Sequence, residues 1–275
     1  MKKITLLFSA LLMVSFSALA QIKMYLYFND GTRVEYIASR VDSIKFDSPI
    51  DEPDDSDKPG EEEKPDGPVG PKPDPNTPNA NGHEYVDLGL PSGLLWATCN
   101  VGADSPEDYG YYFAWGETQP KENYNWSTYK YSTDYDQLTK YCNYGSYGKD
   151  GFTDNKTVLD PEDDAATANW GGAWRMPTRA EQQELINNCT WTWTTQNGVN
   201  GYKVTGPNGN SIFLPAADCM SNSSLNNAGL YGSFWSSSLN TDTPDLAFSV
   251  HFSSGFVVWH YYSRSDGQSV RPVCK

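Results

Sequence analysis

The sequence predicts an α+β fold, two short helices set among antiparallel strands and hairpins, and two observations carry that prediction. Helix-start signals stand together in the middle of the chain. Asp160-Pro161-Glu162-Asp163 places a capping acid, a first-turn proline and further acids ahead of "DAATANW", and Thr178-Arg179-Ala180-Glu181 has capping-box spacing ahead of "QQELINN". After them the apolar period changes to two, through "TWTWTT" (Thr190 to Thr195), Asn197-Gly198, "GYKVT", Asn208-Gly209 and "SIFLP". Asn-Gly between alternating segments marks a tight hairpin.

The elements follow in order. The chain opens MKKITLLFSALLMVSFSALAQ: two lysines, an apolar run too short to span a bilayer, and an Ala-x-Ala site before Gln21. Residues 1–20 therefore read as a secretory signal peptide, and the next cysteine, Cys99, is too distant to anchor a lipid there. The mature chain is expected to be secreted or displayed on the cell surface, the periplasm being the alternative, with no membrane span. Residues 21–50 alternate apolar and polar positions around the Asn29-Asp30-Gly31 turn, a small β-hairpin module to which Val41 to Phe46 adds a third short strand. Such a piece is too small to bury a core alone, so it reads as an appendage or as a strand donor to an assembly partner. Residues 51–82 carry ten acidic side chains against three lysines, with many prolines. This linker lacks hydrophobic periodicity and is expected to be disordered, extending up to roughly 100 Å at about 3.1 Å per residue.

From His83 to the end the composition turns aromatic and rich in Gly, Asn and Ser turns, at a length ordinary for one domain. Its last hairpin is "AFSVHFSSGFVVWHYY", Ala247 to Tyr262. A two-residue turn at Ser254-Gly255 pairs Ser253 with Phe256 and His251 with Val258, because loop length sets register. Val250, Phe252, Val257 and Trp259 then share one face, read as the core face. The other collects Ser249, His251, Ser253, Phe256, Val258 and His260, with Asp242, Asp245, Tyr262, Ser263 and Ser265 nearby. That mixture of apolar, aromatic and small polar groups makes a poor solvated surface and a credible binding surface. The candidate ligand-binding residues are Asp245, Ser249, His251, Ser253, Phe256, Val258, His260 and Tyr262. The alternative is ordinary surface variation with partial burial, since an exposed apolar residue alone needs no explanation.

A net charge of −15 argues against nucleic acid, which binds through Lys and Arg, although much of the acidity sits in the linker. The five cysteines, Cys99, Cys142, Cys189, Cys219 and Cys274, are odd in number, so at least one thiol is unpaired in a monomer. No C-x-x-C spacing marks a metal knuckle or redox pair, and no cofactor is expected. His251 and His260 share a face but read as falling in non-adjacent cross-strand pairs, and neighbouring pairs on one face lie about 7 Å apart, too far for an unaided two-His metal site. No Ser-His-Asp or paired-carboxylate arrangement can be placed, so no catalytic residue is assigned.

The best-marked word, "NWGGAWRMPTRAEQQEL" (Asn169 to Leu185), has a cap or turn role at every position. It is accompanied by "EYVDLGLPSGLLWATCNVGA" (Glu84 to Ala103), "YFAWGET" (Tyr112 to Thr118), "GNSIFLPAA" (Gly209 to Ala217), "FWSSS" (Phe234 to Ser238) and the terminal "SVRPVC" (Ser269 to Cys274). Together these words resemble the Fibrobacter succinogenes major paralogous domain family, itself similar to the C-type lectin-like fold, across residues 83–275. The resemblance implies a lectin-like domain whose first and last strands pair, bringing "EYVDLGL" beside "SVRPVC", in a secreted or surface protein of Bacteroidetes-like bacteria. It departs at Gln182, where the family more usually has an aromatic residue, which implies a less firmly docked helix. Cys142, on a Tyr/Gly/Asn-rich loop, is the thiol expected to be free, with Cys99 and Cys274, near the terminal strands that the resemblance pairs, in structural roles.

Fold analogy does not settle function. Calcium-dependent lectins resemble one another in a Glu-Pro-Asn or Gln-Pro-Asp loop and a Trp-Asn-Asp word; Thr243-Pro244-Asp245 is the nearest here and lacks the first oxygen ligand. Asp160, Glu162, Asp163 and Asp164 are explained more economically by helix capping than by an ion. "WRMPTRAE" also resembles formylglycine-generating oxidases, but their closely spaced C-terminal cysteine pair has no counterpart. In some lectin-like proteins the C-terminal region is diversified to Asn, Ser, Tyr, Asp, His, Phe and Val, the residue types of the hairpin's outward face. The expectation is a non-enzymatic binding protein for an extracellular protein or glycan. A structural subunit assembling through its N-terminal strands is the runner-up, and a formylglycine-generating-like oxidase a distant third.

Overall fold

The computed structural model describes Lys23–Tyr27, Arg33–Ile37 and residues 79–275. The signal peptide, the Asn29-Asp30-Gly31 turn, the expected strand Val41 to Phe46 and the linker up to residue 78 lie outside the described residues. The chain divides into two units, Met1–Pro68 and Val69–Lys275. In the first, β1 (Lys23–Tyr27) and β2 (Arg33–Ile37) pair antiparallel from Lys23 opposite Ile37 to Tyr27 opposite Arg33, as the alternation predicts.

The second unit begins before His83. β3 (Asn79–Ala80) turns through Asn81 and Gly82, both at positive φ, into β4 (His83–Asp87), so the end of the expected linker is a strand of the domain. β4 pairs with β5 (Leu95–Ala97), and the C-terminal β16 (Val273–Cys274) adds to the far side of β5. The terminal strands therefore meet only through β5, which corrects the expectation that they pair directly. The β4–β5 hairpin folds back, so its second arm is the one left free to take β16. Three further sheets complete the unit: β6 (Phe113–Ala114) with β15 (Gly267–Gln268), β10 (Cys219–Ser221) and β11 (Ser224–Leu225); β7 (Thr190–Gln196), β8 (Val199–Thr205) and β9 (Ser211–Pro215); and β12 (Tyr231–Leu239), β13 (Leu246–Ser253) and β14 (Phe256–Ser263). The result is a sheet-rich α+β domain.

Local rules place the helices and turns. Asn197 and Gly198 both take positive φ, which the two-residue β7–β8 turn requires. α2 (Arg179–Asn188) starts on the predicted capping box: Thr178 Oγ1 accepts from Glu181 N at 3.3 Å, and Glu181 Oε2 accepts from Thr178 N at 2.8 Å. α1 (Ala165–Trp170) differs from expectation. Its cap is Asp164, which accepts from Thr167 N, while Asp160 precedes a single 3-10 turn and caps nothing. Asp164 also accepts from Met176 N, tying the cap to the next segment, and that second partner cannot be read from local spacing. Gln182 docks α2 rather than loosening it: it is buried, and its amide donates to the Phe234 and Trp235 carbonyls of β12 at 3.0 and 3.2 Å.

The β12–β13–β14 sheet separates two apolar cores. Alternation along β12 sends Phe234 into one, with Leu88, Leu185, Leu214, Val250 and Phe252, and Trp235 into the other, with Trp115, Trp174, Tyr141 and Ala247. Gly232 permits this packing, since a Cβ there would lie 2.1 Å from Phe252 Cζ. All five cysteines are free, Cys142 as expected, and Cys99 and Cys274 hold their places without a bond. Alkylation of the denatured, unreduced protein is expected to add five labels; fewer would reveal a disulfide.

Candidate functional site

The last hairpin adopts the predicted register, Ser253 opposite Phe256, His251 opposite Val258 and Ser249 opposite His260. β12 adds a third residue to each row: Tyr231–Ser253–Phe256, Ser233–His251–Val258 and Trp235–Ser249–His260. His251 is the centre of this grid. Its ring lies 5.5 Å from that of Tyr231 and nearly parallel to it, 5.4 Å from Phe256, 5.9 Å from His260 and 5.7 Å from Tyr262.

The face is open at only one end. Toward the start of β13, Trp235 and Ala247 belong to a core and Tyr262 packs against it. Toward the turn, Phe256, Val258 and His260 are exposed and His251 and Ser253 half-buried. Two candidate residues are not part of the open end. Ser249 is fully buried, its hydroxyl donating to the Val250 carbonyl, because Trp235 flanks it in the row. Asp245 lies at the far end, where its carbonyl accepts from Arg264 N, and burial pushes its carboxyl up. The structure thus brings together His251, Ser253, Phe256, Val258, His260 and Tyr262.

Three further residues, absent from the sequence-based set, organise this end. Asp218, buried, accepts from Asn227 Nδ2 at 3.3 Å and from Ser233 Oγ at 3.2 Å. Ser233 Oγ also lies 3.0 Å from His251 Nδ1 and so links the imidazole to Asp218. Tyr262 OH lies 3.0 Å from the same nitrogen, so His251 Nδ1 is shared between two hydroxyls. Burial, and then the neighbouring His260, push the His251 pKa down. Tyr231 is the third. Its alternation with Ser233 and Trp235 is legible in "YGSFWSSS", but the strand it joins is not.

The opposite face corrects one expectation. Trp259 shares it with Val250 and Phe252, yet it is 40% exposed because β14 is the outermost strand. Arg179 of α2 lies 4.1 Å from both the Phe248 and Trp259 rings and covers part of it.

The acidic group is arranged otherwise. Carboxylates of Asp160, Glu162 and Asp163 converge within 4.8 Å, and the Lys140 ammonium reaches all three at 3.0, 3.4 and 2.5 Å. The chain itself supplies a cation there. In the grid, by contrast, no charged side chain occupies any row. It offers rings, methyl groups and two imidazoles, while its buried serine hydroxyls are committed, Ser233 to Asp218 and Ser249 to the Val250 carbonyl. No family model, curated protein or solved structure matches the chain. Among the described residues no helix is long and apolar enough to cross a membrane.

Proposed function

We propose that this chain is a secreted or surface-displayed, non-enzymatic protein that binds an extracellular protein or glycan through the open end of the β12–β13–β14 face. The lectin-like reading of the domain belongs to this proposal. The observation that carries it is the grid around His251, where Tyr231, Phe256, Val258 and His260 surround an imidazole held through Nδ1 by Ser233, itself bonded to Asp218. Rings held in place beside polar imidazole edges suit the apolar face of a sugar or an aromatic side chain of a partner. A catalytic reading finds less support: Ser233 is fully buried and its hydroxyl is committed to Asp218.

A glycan and protein array probed with the purified chain identifies the ligand. Replacing Phe256, Val258 and His260 together with serine should leave folding nearly intact, since exposed substitutions each change stability by about 0.5 kcal/mol or less. The same variant should lose about 2 kcal/mol or more of binding free energy to any array hit, because central aromatic anchors dominate interfaces. Unchanged binding by this variant places the site elsewhere. Deleting residues 21–78 tests the alternative of assembly through the N-terminal strands, since a binding face keeps its ligand and an assembly subunit loses its partner.

A further inference from the structure

We propose that the outer edge of β14 pairs antiparallel with the same edge of a second copy of this chain, joining two three-stranded sheets about a two-fold axis at Trp259. The inference rests on the two edges of the β12–β13–β14 sheet, not on the ligand reading above. The β12 edge is covered by backbone: Trp235 N donates to Ser269 O at 3.2 Å, Ser237 N to Pro177 O at 2.8 Å, Leu239 N to Thr157 O at 2.9 Å, and Tyr231 O accepts from Asp218 N at 3.0 Å. The β14 edge is bare. Among the described residues, no backbone group outside β13 bonds to Phe256–Tyr262, and β13 is its only hydrogen-bonded strand neighbour; α2 packs on one face of β14, with Arg179 over Trp259, and leaves the backbone edge unpaired.

A bare edge is a template for another strand, and proteins blunt such edges with charge, proline, bulges or brevity. β14 uses none of these. It pairs with β13 through eight residues without a register shift, and "FVVWHYYS" contains no acid, lysine, arginine or proline. Phe256, Val258, Trp259 and Tyr261 remain 40 to 43% exposed along it.

The strand's own sequence points to a copy as the occupant. On a chain of net charge −15, two copies meet here without opposing carboxylates. Residues opposite each other across a two-fold axis normal to the sheet lie on the same face, so the axis must pass through a residue. An axis at Trp259 sets Phe256 opposite Tyr262, Val257 opposite Tyr261, and Val258 opposite His260 of the second copy. These are aromatic and β-branched pairs of the kind that stabilise antiparallel strands. Moving the axis to His260 would set Phe256 against Arg264, which is fully buried, and moving it to Val258 would set Tyr261 and Tyr262 against the turn. Pairing at Trp259 uses the whole exposed strand and places the two His251 grids side by side on one continuous face.

Sedimentation equilibrium of the full chain is expected to show a concentration-dependent dimer. Val257→Lys with Tyr261→Lys puts like charges opposite each other at both positions and should weaken the dimer on the order of tenfold or more. Val257→Lys with Tyr261→Glu sets each lysine against a glutamate of the second copy and should restore it. Circular dichroism checks folding of both, and Trp259→Cys, at the axis, should oxidise to a covalent dimer. A wild-type chain that stays monomeric, a Lys/Lys variant that still dimerises, or a folded Lys/Glu variant that does not, overturns the proposal.

Discussion

Arg264→Met should lower stability by about 3 kcal/mol, read as a shift of the urea midpoint at constant slope. Arg264 is fully buried between loop segments that are far apart in sequence. Its guanidinium lies 4.9 Å from the Trp115 ring, and it donates to Tyr129 OH and to the carbonyls of Lys140, Tyr141 and Pro244, all within 3.1 Å. Methionine fills much of the volume but leaves three carbonyls without that donor, each worth roughly 1–3 kcal/mol if left unpaired. Release of the buried charge offsets part of this loss. Arg264→Lys should rescue little, because a point ammonium cannot bridge acceptors that a planar fork reaches together. The backbone of Arg264 also accepts from Trp115 N and donates to Asp245 O, so the same variant should loosen the entrance to β13. A full-stability Arg264→Met protein would show that these loops hold one another without it.

Asp163→Asn should cost about 3 kcal/mol or more, in the range for removing one partner of a buried ion pair. Asp163 is buried and accepts from Lys130, Lys140, Tyr131 and Tyr141. Burial by itself pushes its carboxyl up, but the hydrogen bonds from Lys140, Tyr131, Tyr141 and Lys130 outweigh burial and hold the pKa far below the usual carboxylate range. A depressed folded-state pKa means that the unfolded chain takes up the proton first as pH falls. The stability contributed by Asp163 is therefore fully present above about pH 4 and is lost progressively below it. Asp266 works in the opposite sense. Burial raises it to about 6, so its penalty is relieved as pH falls through that value. The signature of Asp163 is thus a gap between wild type and Asp163→Asn that is constant from about pH 5 to 7 and narrows toward about pH 2. A gap independent of pH would assign the loss to packing alone.

Residues that act on near neighbours are legible in the sequence. The Thr178–Glu181 box, the Asn197-Gly198 turn and the register of the last hairpin depend on a few consecutive residues, and each forms where local rules put it. The candidate face is legible in part, because strict alternation assigns His251, Phe256, Val258 and His260 to one side of a hairpin whatever else the chain does. Alternation does not say what covers that side. It turns Ser249 toward the open face, yet Ser249 is buried because Trp235 of another strand lies beside it. It turns Trp259 toward the core, yet Trp259 is open because no strand follows β14.

The same limit accounts for Asp160 and Asp164. Both precede a helix-forming run, and only the arrival of Met176 N and of Lys140 decided which would cap and which would pair. Asp218, Tyr231 and Ser233 reach His251 from outside the hairpin, through a β12 register interrupted between Trp235 and Leu239. The sequence by itself determined the α+β class, the helix starts, the hairpin turns and which residues share a strand face, because steric and hydrogen-bond rules over a few residues decide them. Only the tertiary structure decided which end of that face is open, which groups hold the His251 ring and which sheet edge stays unpaired. Those outcomes depend on segments distant along the chain, whose approach is governed by the packing of the two cores.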